Sequence, residues 1–152
     1  MKKNSVIFDL DGTIALIDKR RKISTKANGK IDWDIFFDPK NIDLDEPNLP
    51  VIKSLQSFKK DSYKIIILSG RLETTKDATL SWLKNNNVEF DIIKMRKNTP
   101  TGKYISDLEL KENWLKEIGK ENVLCVYDDR TKLVEMWRRN GLTCYQVADG
   151  NF

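Results

Sequence analysis

The chain has 152 residues, 27 Lys+Arg against 23 Asp+Glu for a formal charge of +4, two Cys and no His. Its length and its 39% hydrophobic, 33% charged composition suit one soluble, folded domain with a buried core. The missing His excludes Ser-His and Cys-His nucleophiles, an imidazole base and His metal sites, and two Cys cannot build a disulfide framework or a Cys-only zinc site.

Along the chain, apolar runs alternate with helical patterns. Ser5 to Asp9 predicts a buried strand that ends in acids. Asp18 to Leu49 then breaks the rhythm, being longer than an ordinary strand-to-helix connection, and predicts a lid or binding loop. Within it, Trp33, Phe36 and Phe37 are expected to anchor the lid on the body, the other reading being stacking on a substrate base. Pro50 opens a helix with Val51, Ile52, Leu55 and Phe58 on one face. Lys64 to Leu68 is the second strand, and Thr75 to Asn85 a helix that turns Ala78, Trp82 and Leu83 inward. Phe90 to Ile93 is the third strand, and Leu108 to Ile118 a helix stopped by Gly119. Asn122 to Tyr127 is the fourth strand, Thr131 to Asn140 a helix stopped by Gly141, and Thr143 to Val147 the fifth strand. This alternation predicts an α/β fold, a parallel sheet covered on both faces. Cys125 and Cys144 sit in apolar runs and read as buried strand residues. The N-terminus is not a signal peptide and no run approaches the roughly 20 apolar residues of a membrane span, so no membrane partner and a cytoplasmic location are expected.

Without His, catalysis must run on carboxylates, Lys, Arg and hydroxyls, and a metal must be a hard cation held by oxygen. Three polar clusters follow buried strands directly: Asp9 to Thr13 (DLDGT), Ser69 to Arg71 (SGR) and Asp128 to Arg130 (DDR). In a parallel sheet these strand ends share one edge, so the clusters should converge on one site. Asp9 and Asp11, two apart on an extended segment, leave the same side of it. Together with Asp128 and Asp129 they concentrate like charges, which at about 4 Å repel by on the order of 4 kcal/mol at an effective dielectric near 20. Such a site calls for a cation, and its hard oxygen donors suit Mg²⁺. A carboxylate can attack phosphorus to give an aspartyl-phosphate, and a second one can serve as acid and base.

At these residues the chain resembles the haloacid dehalogenase (HAD) superfamily of phosphatases. FDLDGT (Phe8 to Thr13), ILSGR (Ile67 to Arg71), SDLELK (Ser106 to Lys111) and YDDR (Tyr127 to Arg130) look like its four motifs, in order. The tail from Asp128 to Phe152, Met95-Arg96 ahead of Asp107 to Lys111, and Arg20 eleven residues after Asp9 are similar to the 3'-phosphatase domain of phage polynucleotide kinase. The Asp32-Trp33, Phe36-Phe37 and Pro47-Asn48 pairs resemble stand-alone relatives in phages and bacteria.

The resemblance implies a Rossmann-like three-layer sandwich with about five parallel strands and a minimal cap after strand 1, in a single domain over 1–152 with the lid at about 18–49. It also implies roles. Asp9 is the nucleophile and a Mg²⁺ ligand; Asp11 is the general acid/base, with its backbone carbonyl on Mg²⁺; Asp128 and Asp129 complete the metal site. Ser69 holds a phosphoryl oxygen and Lys111 neutralises charge. Lys103 is the rival for that lysine, Lys111 being preferred because Asp107 lies four residues before it on one helical face. Arg20, Arg71 and Arg96 grip substrate, with Thr13 and Gly70 also on the substrate side, and Asp107 supports the site. Arg130, Arg138 and Arg139 read as helix-surface charges. Ile105 stands where relatives carry an Arg. No GxxxxGK[ST] loop occurs, so a stand-alone phosphatase without a kinase half is expected.

The implied activity is a Mg²⁺-dependent phosphomonoesterase for 3'-phosphates of polynucleotide ends or nucleotides, with a nucleoside monophosphate or sugar phosphate as the alternative substrate. The implied partner is a phosphorylated nucleic-acid end or nucleotide, with no obligate protein partner evident. A phospho-acceptor signalling domain fits less well, because its acceptor Asp ends a later strand whereas here the later strands end in Ser69 and Asp128-Asp129. A non-catalytic nucleic-acid-binding protein would not need the intact acids, Ser69 and Lys111.

Overall fold

The computed structural model describes residues 3–98 and 104–152. Five parallel strands form the central sheet: β1 (Ser5–Asp9), β4 (Lys64–Leu72), β5 (Ile92–Arg96), β6 (Val123–Asp128) and β7 (Cys144–Gln146), in the order β5-β4-β1-β6-β7. A two-stranded ribbon of β2 (Ala15–Leu16) and β3 (Glu46–Pro47) stands apart from it. The helices are α1 (Asp18–Ser24), α2 (Trp33–Phe36), α3 (Leu49–Lys60), α4 (Lys76–Asn85), α5 (Asp107–Ile118) and α6 (Thr131–Arg139).

The period of two along β1 explains the layers. Val6 and Phe8 enter one core with Leu55 of α3 and Trp82 and Leu83 of α4. Ile7 enters the other, with Trp114 and Leu115 of α5 and Met136 and Trp137 of α6. Both faces of the strand are therefore covered, which is why its sequence reads as one unbroken apolar run. The expected α/β three-layer arrangement is the observed one.

The insert after β1 is more ordered than the loop expected for it. Ile17 just before α1, Phe36 of α2 and Ile42 of a 3-10 helix over Pro39–Leu44 pack into the α3/α4 core. The indole nitrogen of Trp82 on α4 donates to the Asp45 carbonyl at 3.0 Å. The insert is thus an extension of one core. Its aromatic anchors divide: Phe36 is buried and Phe37 half-buried, while Trp33 remains 60% exposed.

Two strands depart from their expected limits. β4 continues past Leu68 to Leu72 through an irregularity between Ser69 and Leu72, which lets Ser69 pair with Met95 and Leu72 with Arg96. β5 begins at Ile92, two residues later than the apolar run suggests, because Asp91 turns its carboxylate onto the Ile65 N–H at 2.8 Å. The extension of β4 to Leu72 carries the sheet toward the edge where the polar clusters lie, and so does β5, which runs past Ile93 to Arg96.

Cys125 and Cys144 are buried as expected. Burial pushes the Cys125 thiol up to about 11, and burial together with Asp128 pushes Cys144 up to about 12. Both thiols stay protonated at pH 8, so iodoacetamide should label neither in the folded protein and both in denaturant, with mass spectrometry as the readout.

Candidate active site

The three clusters meet at the carboxyl edge of the sheet. Asp9 ends β1, Asp128 ends β6, and Asp129 opens the loop to α6. Their carboxylates offer three oxygens that lie within 4.8 Å of one another, all buried. Lys111 of α5, itself buried, donates from Nζ to Asp9 Oδ1 at 2.5 Å and lies 3.4 Å from Asp128 Oδ2. The Trp137 indole donates to Asp128 Oδ2 at 3.0 Å, and the Asp129 N–H to Asp128 Oδ1 at 2.9 Å. Thr13 Oγ1 lies 3.1 Å from Asp9 Oδ2 and 3.4 Å from Asp129 Oδ1. Lys103, the rival lysine, lies outside the described residues.

The charge balance of this cluster is incomplete. Among the described residues three carboxylates face one ammonium, which with all of them ionised leaves an excess of two negative charges in a buried place. Burial pushes the Asp9 carboxyl well above its ordinary value; Lys111 opposes this, and Asp128 and Asp129 add to it. The Lys111 ammonium is held charged: burial works against it, and Asp128 and Asp9 outweigh burial. A divalent cation among the three oxygens would remove the remaining imbalance, and an all-carboxylate set without His or Cys fits Mg²⁺.

Gly12 makes the close approach of Asp129 possible. Its φ is +85°, and a Cβ there would lie 2.2 Å from Asp129 Oδ2. Gly12→Ala should therefore displace one of the three carboxylates and lower activity at limiting Mg²⁺ by about tenfold or more, with partial recovery as Mg²⁺ is raised; a titration of phosphate release against Mg²⁺ checks this.

Asp11 points elsewhere. Its Oδ1 accepts from Arg71 Nη2 at 2.6 Å and Arg20 Nη2 at 2.7 Å. Behind it, Asp45 bridges the same two guanidiniums, accepting from Arg20 Nε at 2.9 Å and Arg71 Nη2 at 2.7 Å. Arg20, Arg71 and Asp45 are buried side chains, whereas Asp11 keeps one side open to the cavity. Burial would raise the Asp11 carboxyl, but Arg71 and then Arg20 outweigh it and hold it below its ordinary value.

A cavity of about 1250 Å³ opens over the site. Asp9, Asp11, Ser69, Gly70, Lys111, Asp128 and Asp129 reach its wall, whereas Arg20, Arg71 and Thr13 do not. Arg20 and Arg71 clamp Asp11, and Thr13 bonds within the acidic cluster. The Asp11 carboxylate is turned to the arginines and lies outside the acidic cluster of Asp9, Asp128 and Asp129. Ser69 is buried at the bulge of β4, with its Oγ accepting from the Arg71 N–H at 3.1 Å.

Arg96 lines the cavity, and Asp107 holds it at 2.5 Å. Asp107 is thus an anchor for arginines: its other oxygen accepts from Arg130 Nη1 at 3.2 Å. Gly70 packs on the same carboxylate, 2.5 Å from where a Cβ would sit. Arg130 is no mere surface charge, since it too lines the cavity. Asp45 and Trp137 carry no local sequence signal for their roles. Each is recognised only through partners brought from distant positions.

Comparison with known proteins agrees with this geometry. Residues 3–152 match the family described as the polynucleotide kinase PNKP phosphatase domain. A protein of Autographa californica nuclear polyhedrosis virus, described as a bifunctional polynucleotide kinase/RNA ligase, is 33% identical over 141 residues. That match takes in 88% of this chain and 18% of the viral protein, so the chain spans about a fifth of that relative. A chain of the Pnkp1/Rnl/Hen1 RNA repair complex superposes with a TM-score of 0.76 at 33% identity, over 97% of this chain and 43% of that one. A Clostridium difficile protein classed as a phosphatase shares the fold alone, with a TM-score of 0.68 at 13% identity over 96% of this chain and 85% of its own.

Proposed function

Because the chain belongs to the HAD phosphatases of the polynucleotide kinase PNKP phosphatase-domain type, we propose that it removes 3'-phosphates from polynucleotide ends or nucleotides through an aspartyl-phosphate on Asp9. It is a phosphatase; the proposal adds substrate, intermediate and metal. The observation that carries it is the buried set of Asp9, Asp128 and Asp129 with Lys111 across it, at the floor of an open cavity.

Asp9, Asp128 and Asp129, with the Asp11 backbone carbonyl, would hold Mg²⁺. Its chemistry is to bind a phosphoryl oxygen and offset the repulsion between anionic nucleophile and anionic substrate. Asp9, whose ionised form Lys111 favours against burial, attacks phosphorus while the bond to the leaving oxygen breaks. Ser69 and Lys111 hold the phosphoryl oxygens, as donors placed where charge develops. Asp11 gives its proton to the leaving oxygen. In the second half it takes a proton from the water that attacks the aspartyl-phosphate, and inorganic phosphate leaves.

Arg20 and Arg71 bear on that proton. They favour ionised Asp11, the form the second half needs. In the first half the arriving phosphate dianion lies beside Asp11, and like-charge repulsion favours its protonated form. The arginines also fix the carboxyl in place, so they are positioning residues.

The product of such a reaction is a 3'-hydroxyl end, which is the end that strand joining requires. The neighbouring Pnkp1 chain comes from a complex with Rnl and Hen1, which supports placing this chain before a ligation step and makes a protein partner compatible with it. Among the described residues no helix is long and apolar enough to cross a membrane.

The test is a phosphate-release panel with Mg²⁺. Oligonucleotides with 3'-phosphates should be cleaved with kcat/KM at least about tenfold above 5'-phosphorylated ones. Sugar phosphates turned over faster than any nucleotide would overturn the substrate assignment in favour of a small-molecule phosphatase.

A further inference from the structure

The cavity over Asp9 is far larger than a phosphate group needs, and its walls differ in chemistry. The lid contributes aromatic rings, Trp33 and Phe37, with the carboxylates of Asp34 and Asp38 beside them, and Arg21 from α1. The strand ends contribute cations: Arg96, Lys97 and Arg130.

Trp33 is the unusual member. A 60% exposed indole is a poor use of a large apolar side chain unless something covers it. It is also held firmly. Asp32 caps α2 by accepting from the Asp34 and Ile35 N–H groups, which fixes the first turn on which Trp33 sits. The ring stacks on Phe37 with centroids 5.8 Å apart and planes 19° apart. Phe37 stands edge-on to buried Phe36 at 5.1 Å. The Arg20 guanidinium lies 4.3 Å from the Phe36 ring centroid and reaches on to Asp11. The open indole is therefore tied, ring by ring, to the clamp around Asp11.

Resting on the nucleotide reading above, we infer that Trp33, backed by Phe37, is the stacking surface for the base of the nucleotide that carries the phosphate. A base offers a flat, largely uncharged face, and a pre-ordered aromatic ring receives it with little loss of freedom. The neighbouring Asp34 and Asp38 repel phosphate, so the lid side takes the base. The next phosphate of a strand runs along Arg96, Lys97 and Arg130. The phosphoryl group, in the acidic cluster, then marks one end of the bound nucleotide and Trp33 the other.

The experiment compares kcat/KM for thymidine 3'-phosphate and for the same sugar phosphate without its base. Wild type should prefer the nucleotide by about tenfold, mainly through KM, the size of one lost base–aromatic stack. Trp33→Ala should reduce that preference to near unity, and Trp33→Phe should restore most of it. Melting curves of both variants check that they fold. If Trp33→Ala keeps the wild-type preference, or wild type shows none, the stacking site is wrong while the phosphatase reading stands. If wild type releases phosphate from neither compound, the nucleotide reading fails and this inference falls with it.

Discussion

Asp9→Asn should leave a folded protein whose phosphate release from any phosphomonoester is lower by more than about a thousandfold. The side chain is nearly isosteric, and the position needs no negative charge to fold. Burial and the neighbouring Asp128 and Asp129 already work against its ionisation. What the amide cannot do is attack phosphorus as a carboxylate does. Lys111 loses its shortest partner in this variant but keeps Asp128 at 3.4 Å, so the melting temperature should stay within a few degrees of wild type. Steady-state kinetics with a chromogenic phosphomonoester, read beside a thermal melt, separates lost chemistry from lost fold. Residual turnover near the wild-type level would remove Asp9 from the role of nucleophile.

Asp45→Ala should have the largest effect on stability. Asp45 is buried between Arg20 and Arg71 and bonds both. Truncating it leaves two buried guanidiniums with Asp11 as their shared carboxylate. Breaking a buried ion pair in this way costs about 3–5 kcal/mol. For a chain of this size that lowers the melting temperature by roughly 10 °C. Activity should fall with it even at temperatures where the variant is folded, because the arginines that fix Asp11 are no longer fixed themselves. Asp45→Asn keeps one acceptor oxygen and should lie between Ala and wild type. Differential scanning fluorimetry with a parallel kcat measurement checks both parts. A variant that melts as wild type does would show that Asp11 alone suffices to hold the two arginines.

The parts of the site that were legible in the sequence are those whose signal is local. Asp9, Ser69 and Asp128 each close an apolar run, and a parallel sheet puts the ends of such runs on one edge. Lys111 lies four residues after Asp107, within one helical run. The residues that were not legible depend on distant partners. Arg20 was marked by the resemblance alone, and nothing local shows its burial: its side chain is fully buried because Asp45, twenty-five positions on, receives it. Nothing local marks Asp45 itself, nor the reach of the Trp137 indole back to Asp128. Arg130 looks like the start of an ordinary helix surface, and only the return of α5 toward β6 brings Asp107 to it. The lid shows the same limit. Its aromatic residues were evident, but which of them would be buried was decided by the packing of Phe36 and Ile42 into the α3/α4 core, which leaves Trp33 outside.

The fold has the same division. Both faces of β1 are covered, so its residues are apolar throughout and its limits are clear. The limits of β4 and β5 were less clear because a bulge and one carboxylate set them. Those local departures matter for chemistry, since the bulge carries Ser69 and Gly70 to the cavity wall and turns Arg71 toward Asp11.

The central claim, that Asp9 carries the phosphoryl group between two half-reactions, is tested most directly by acid-quenching enzyme mixed with a 3'-³²P-labelled oligonucleotide and Mg²⁺ over milliseconds to seconds. The label should pass transiently onto the protein, map to the peptide that contains Asp9, and be absent from Asp9→Asn. Rapid release of inorganic phosphate with no protein-bound label at any time, or label on a peptide without Asp9, would contradict it.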